Sequence, residues 1–295
     1  MPRAKANGIE LEFDTFGQES HEPLLLIMGL GGQMLLWNEE FCEMLAERGH
    51  FVIRFDNRDV GLSTWCDDKG VPDLMALFAS LGKGPAPEAP YSLDDMADDA
   101  MAILDAVGVE QAHICGASMG GMIAQATAIR HPHRVKSLTS IMSTTGNPEL
   151  PSPSPEAVQI LATPTPPDRE AAMERSVEAE RVIGSPAYPV DPEVTREMAG
   201  LLHDRAYHPE GTARQMAAIA AHGNRREALE KLDIPALVVH GKADKLVPVE
   251  GGLDTHEALS NSELYLIDGM GHNMPRELWE SLIERISQLT QRATH

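Results

Sequence analysis

Positive charge is scarce in this chain of 295 residues. Lysines and arginines number 24 against 45 aspartates and glutamates, a formal net charge of −21 at pH 7. A surface of that sign repels phosphate backbones and anionic headgroups, so neither a nucleic acid nor a membrane is expected as a partner. The acidic residues are dispersed rather than gathered in a tail, as in a solvated shell. Cysteine is equally sparse. Cys42, Cys66 and Cys115 are odd in number and include no CxxC pair, which argues against a disulfide framework or a structural zinc site. The histidines show no metal-like spacing, and no cofactor is expected. Long apolar runs are missing too: the longest, "LLLIMGL" at 24–30, is too short to span a bilayer. The opening "MPRAKANG" has no apolar stretch behind its basic residues, so no secretory leader is expected and the cytoplasm is the expected location. No repeat is visible, which removes solenoids and propellers.

What the chain does have is an alternation of strands and helices. "IELEFDTFG" (9–17) alternates apolar and acidic residues as a half-exposed strand does. "PLLLIMG" (23–29) and "FVIRFD" (51–56) are continuous apolar runs, expected of strands buried on both faces. Between them, "NEEFCEMLAERG" places Phe41, Met44 and Leu45 on one helical face, with Gly49 as a stop. A loop is expected over about 57–91. Ser92 then opens a helix whose apolar residues, from Leu93 to Val107, keep the i, i+3, i+4 spacing until Gly108 ends it. "AHICGAS", "VKSLTSIM", "PALVVHG" and "ELYLIDG" read as strands, and "MGGMIAQATAIRHP", "VEGGLDTHEAL" and "RELWESLIERISQLTQ" as helices. Such alternation predicts an α/β fold with a doubly wound, mostly parallel sheet. It breaks only after Met142. Prolines recur from Asn147 to Pro167, and helices rich in Ala, Glu and Arg follow to about Gly223. Residues 145–223 are therefore expected to form a helical cap inserted after strand six, between core segments 1–144 and 224–295.

One junction stands out. In "CGASMGG" (115–121) a serine sits in a glycine-rich turn between an apolar strand and a helix. Chance alone yields Gly-x-Ser-x-Gly in about one chain in ten of this length, so the spacing by itself decides nothing. The context does. A sharp strand-to-helix turn lifts the serine hydroxyl above the sheet, and small residues are needed where strand and helix approach. The bland alternative is that Ser118 merely caps the helix. A serine hydroxyl needs a base within reach to attack a carbonyl. Asp244 in "VVHGKADKLVP" and His272 in "LYLIDGMGHNMP" each follow a strand, in the order serine, acid, histidine. All three are thus expected at one edge of the sheet as catalytic residues. Glu149, just past the sixth strand, is a lesser candidate for the acid, and Asp268 reads as a turn or cap residue. The backbone N–H of Met119, next after the nucleophile, is expected to stabilise an oxyanion, together with an N–H from the loop "MGLGGQ".

With these motifs, and with "RFDNRDVGLST" at 54–64, the whole chain resembles the α/β-hydrolase superfamily. Relatives commonly carry His-Gly before the oxyanion residue and Arg-Gly in the later loop. Here Met28-Gly29 and Arg58-Asp59 stand instead, and in this the chain resembles the aclacinomycin methylesterase-type carboxylesterases. The resemblance implies that Leu30 supplies the second oxyanion N–H. The function expected is a serine carboxylesterase acting on short- to medium-chain esters of a small molecule. Met34, Met142, Ile183 and Met216 are the candidate pocket residues, with Met28 and Met119 also able to border the acyl group; plain core packing is the alternative for such methionines. Lactonases, carbon–carbon bond hydrolases and cofactor-free perhydrolases share these three residues and stay open at this point. So do a non-catalytic scaffold role and a homodimer.

Overall fold

The apolar run of β3 (Glu22–Ile27) is buried on both faces because the strand lies inside the sheet, parallel to β4 (His50–Phe55) on one side and β5 (Ala112–Ala117) on the other. In this computed structural model, which describes residues 2–74, 77 and 88–294, eight strands run in the order β1-β2-β4-β3-β5-β6-β7-β8. β6 (Val135–Ile141), β7 (Ala236–Gly241) and β8 (Ser262–Ile267) continue the parallel part. β1 (Arg3–Ala6) and β2 (Ile9–Phe16) add an antiparallel edge.

Alternate residues of each strand feed opposite faces. Leu25, Ile27 and Ile114 pack with α2 (Leu93–Ala106) and α3 (Met119–Arg130). Leu24, Leu26 and Cys115 face α1 (Glu39–Glu47) and α10 (Trp279–Thr294) on the other side. The doubly wound sheet read from the sequence is the one observed. Ser92 closes a full capping box with Asp95 at the start of α2.

β1 is the strand that the alternation pattern passes over. It pairs with β2 through Asn7 and Gly8, both at positive φ (48° and 83°), the chemistry of a tight hairpin turn. With β1 counted, the helical insertion follows the sixth strand. It comprises α4 (Pro155–Ala162), α5 (Arg169–Ile183), α6 (Pro192–Arg205) and α7 (Pro209–His222), and the single turn α8 (Arg226–Leu229) opens the segment that returns to the sheet. Three of these helices begin with proline, where the missing N–H costs nothing. The loop expected over 57–91 holds a short 3₁₀ turn at Asp67–Lys69; residues 75, 76 and 78–87 of it lie outside the described residues. Among the described residues no helix is long and apolar enough to cross a membrane.

Candidate active site

Ser118 leaves β5 at φ 57° and ψ −121°, a backbone conformation that costs a side-chain-bearing residue about 1–3 kcal/mol. The turn is held by four bonds: the Ser118 N–H donates to Ile141 O, while its carbonyl accepts from the Gly121 and Met122 N–H groups and the Ser143 hydroxyl. Glycine is required on either side. A Cβ on Gly116 would lie 2.0 Å from Gly120 O, and one on Gly120 would lie 2.0 Å from Ile27 O. Ser118 occupies the N-cap position of α3, yet its hydroxyl makes no capping bond. Instead Oγ lies 2.9 Å from His272 Nε2.

His272 Nδ1 lies 2.7 Å from Asp244 Oδ2, and the Asp244 side chain is fully buried. Its other oxygen accepts from the Leu246 and Val247 N–H groups at 2.8 and 2.9 Å, which fixes the carboxylate plane. His240, beneath it, approaches Asp244 Oδ2 only to 3.7 Å and its Nε2 is 2.8 Å from Val247 O. Burial pushes its pKa down, so this second imidazole stays neutral and leaves the carboxylate charge to His272. Glu149 is exposed and its N–H donates to Asn147, while Asp268 pairs with Lys242 at 2.8 Å. Neither has a recorded contact with His272.

The glycines flanking the histidine loop serve close approach rather than looseness, which the sequence does not reveal. A Cβ on Gly271 would lie 2.2 Å from Gly184 O, and the His272 N–H donates to Ile183 O at 2.7 Å. Ser185 accepts from the Gly271 N–H at 2.9 Å. The end of α5 therefore holds the histidine from behind.

Gly29 brings the other loop to the serine: a Cβ there would lie 3.1 Å from Ser118 Cβ. Among the described residues, the N–H groups of Leu30 and Met119 meet no acceptor. Met119 opens α3, where the helix dipole favours negative charge. The four pocket candidates do not form one group. Met216 is buried with Leu77 and Ala217 against Leu30 and Leu161. Ile183 stands behind His272 through its backbone. Met142 is packed in the sheet core with φ 42°, and the N–H of fully buried Met34 donates to Asp56. Sequence reading misses Ser143, Ser185 and Gln215, polar residues whose partners are far away along the chain. The three cysteines are buried and free, and burial pushes Cys42 up to about 12 and Cys66 to about 11, so no thiolate competes as a nucleophile.

Comparison with known proteins bears on the fold and the family. Over 97% of its length the chain is 29% identical to the rhodomycin D methylesterase of Streptomyces peucetius, covering 96% of that protein. It is 26% identical to 3-oxoadipate enol-lactonase 2 of Acinetobacter baylyi, over 89% of this chain and 86% of that one. Among solved structures it is similar to a meta-cleavage product hydrolase from Pseudomonas fluorescens, with a TM-score of 0.76 at 20% identity over 99% of this chain and 98% of that one. The family model for the alpha/beta hydrolase fold matches residues 22–170, half of the chain. With an eight-stranded sheet of the right topology and a hydroxyl–imidazole–carboxylate chain at its edge, this protein belongs to the α/β-hydrolase family.

Proposed function

We propose that the protein is a serine carboxylesterase that hydrolyses short- to medium-chain esters through an acyl-enzyme on Ser118. The observation that carries the reading is the unbroken chain from Ser118 Oγ through His272 to buried Asp244, at 2.9 and 2.7 Å. Ser118 Oγ attacks the ester carbonyl and His272 Nε2 takes its proton. The carbonyl oxygen becomes an oxyanion against the Leu30 and Met119 N–H groups. His272 returns the proton to the departing alkoxide as the C–O bond breaks, and Asp244 holds the imidazole tautomer. Water, deprotonated by His272, then splits the acyl-enzyme to acid and free Ser118. The similarity to methylesterases supports an ester as the bond cleaved. A lactone is a cyclic ester that reaches the same acyl-enzyme, and the similarity to an enol-lactonase supports it as the second substrate class.

Residues 145–223 serve as the cap in this reading. Leu161, Thr212, Ala213 and Met216 line part of a cavity of about 250 Å³ that adjoins the oxyanion loop where Met216 packs on Leu30, but whose lining includes neither Ser118 nor His272; the acyl space proposed here lies between that cavity and Ser118. Each buried CH₂ is worth about 0.8 kcal/mol, so rates rise over the first few acyl carbons. They fall again once the chain outgrows the space. Two measurements test the proposal. A fluorophosphonate should label the native protein and not Ser118→Ala, and that variant should lose on the order of 10⁴-fold or more in ester turnover. A profile over p-nitrophenyl and methyl esters of rising chain length, with lactones alongside, should peak at short to medium chains. Retention of a tenth of the native rate by Ser118→Ala sinks the serine mechanism.

A further inference from the structure

The loop that presents Leu30 is a tight turn. The Gly32 N–H donates to Gly29 O at 3.1 Å, and Gly31, third in the turn, has φ +64° while Leu30 has none of that left-handed character. That combination is a type II turn, which requires glycine at its third position. The peptide plane joining Gly29 to Leu30 is rigid, so the bond on Gly29 O also fixes the opposite-facing Leu30 N–H. The next plane, between Leu30 and Gly31, is the one that flips between type I and type II turns. It is pinned from outside the sheet. The Gly31 N–H donates to Gln215 Oε1 at 2.8 Å, and Gln215 Nε2 donates to Arg58 O at 2.9 Å. Gln215 is fully buried and lies on α7, 184 residues along the chain from the turn it holds.

The neighbouring residue fastens α7 in place. Arg214 donates to both oxygens of Asp59, at 2.9 and 2.8 Å, and further to Asp67 and Gly70 O. The Arg214 and Asp59 side chains are 1% and 0% exposed. Asp59 sits at φ 70°, and a Cβ on Gly211 would lie 2.0 Å from its carbonyl, so helix and loop are in backbone contact. A carboxylate there calls for a buried cation, and Arg214 is that cation.

We infer that Gln215 is a positioning residue of the oxyanion site: from the inserted helix it holds in place, through the Gly31 N–H, the turn that carries the Leu30 N–H, with the Asp59–Arg214 pair as its anchor. This rests on the serine hydrolase reading above. Removing Gln215 takes the acceptor from the part-buried Gly31 N–H and cuts the tie between the turn and Arg58 O, so the turn is free to shift against Ser118, which weakens binding of an oxyanion more than binding of an ester ground state.

The test uses Gln215→Met, which keeps the side-chain length and loses both bonds, and Gln215→Glu, which keeps an acceptor for Gly31. Steady-state rates on a p-nitrophenyl ester are measured with the affinity for an aryl trifluoromethyl ketone. Ser118 adds to that ketone, His272 takes the proton, and the ketone oxygen becomes the oxyanion. Gln215→Met should lower kcat about tenfold to hundredfold, leave KM within twofold, and weaken the ketone by the same factor as kcat. Gln215→Glu should lose less in both. A fall in kcat with unchanged ketone affinity in either variant overturns the assignment, as does native behaviour in Gln215→Met. A native protein that neither binds the ketone nor takes a fluorophosphonate overturns instead the serine hydrolase reading.

Discussion

Helices α5 and α7 belong to the same insertion and differ in length by one residue, 15 against 14, yet they stand in opposite relations to the sheet. α5 buries Ala172 alone, and several of its charged residues pair on the surface, as Arg169 does with Asp204, although Arg175 donates to Ile160 O and Thr163 O. It reaches the site through its last turns, by Glu180, Ile183 O and the following Ser185. α7 buries seven residues, Arg214 and Gln215 among them. Place in the insertion therefore does not decide whether a helix covers the core or is part of it. The partners of its polar side chains do. A buried guanidinium with a buried carboxylate ties α7 to the loop after β4, whereas the Arg169–Asp204 pair, half in water, ties α5 only to α6.

The largest effect that sharpens this contrast lies on the side of the site that owes nothing to the insertion. Asp244→Asn should cost on the order of 10⁴-fold in kcat, because the amide stabilises the wrong imidazole tautomer. Glu149→Gln, at the mouth of the insertion, should stay near the native rate. If it costs more than Asp244→Asn, the acid is on the wrong strand.

Next in size is the anchor of α7. Burial pushes the Asp59 carboxyl up, but Arg214 and the Cys66 N–H together hold it below its ordinary value, so it is ionised and depends on its partner. Arg214→Met should destabilise the fold by about 3–5 kcal/mol, since it strands a buried carboxylate. Asp59→Asn added to it should recover part of the loss in a denaturant titration. A double variant no more stable than the single one would show that the charge is not what is being satisfied.

A smaller effect follows from the sheet side alone. Burial holds His113 down to about 4 and pushes His50 and His240 down as well. Below about 6.5, the ordinary histidine value, the unfolded chain takes up protons that the folded chain refuses. The stability these residues contribute is complete at pH 7 and is lost as pH falls, in the His113 case between about 6.5 and 4. Thermal midpoints should drop by several degrees from pH 7 to pH 5, and the drop should shrink in His113→Gln. An identical slope in that variant places the acid sensitivity elsewhere.

The smallest effect belongs to α5. Arg169→Ala removes a bidentate pair with Asp204 whose side chains are 42% and 56% exposed, and the thermal midpoint should not move measurably. A clear fall in midpoint would make α5 as integral as α7 and erase the contrast between them.

Much of this molecule is local enough to be written in short stretches of sequence. The buried strands announce themselves as apolar runs, α2 by its spacing and its Ser92 cap, and Ser118 by the strand, glycine turn and helix around it. Asp244 and His272 follow from the same rule, because in a parallel sheet every strand ends at one edge and a residue just past the end shares that edge. β1 went unread: the Asn7-Gly8 pair is a hairpin signal, but four residues of mixed polarity carry no period. What only the tertiary structure decided is whatever depends on a partner distant in the chain. No pattern near Gln215 says that its oxygen will meet the Gly31 N–H, and nothing near Ile183 says that its carbonyl will hold His272. The departure at Asp59 was visible in the sequence, yet its meaning was not. A carboxylate in place of glycine becomes an anchor only when folding buries it against an arginine 155 residues away and water can no longer solvate either charge.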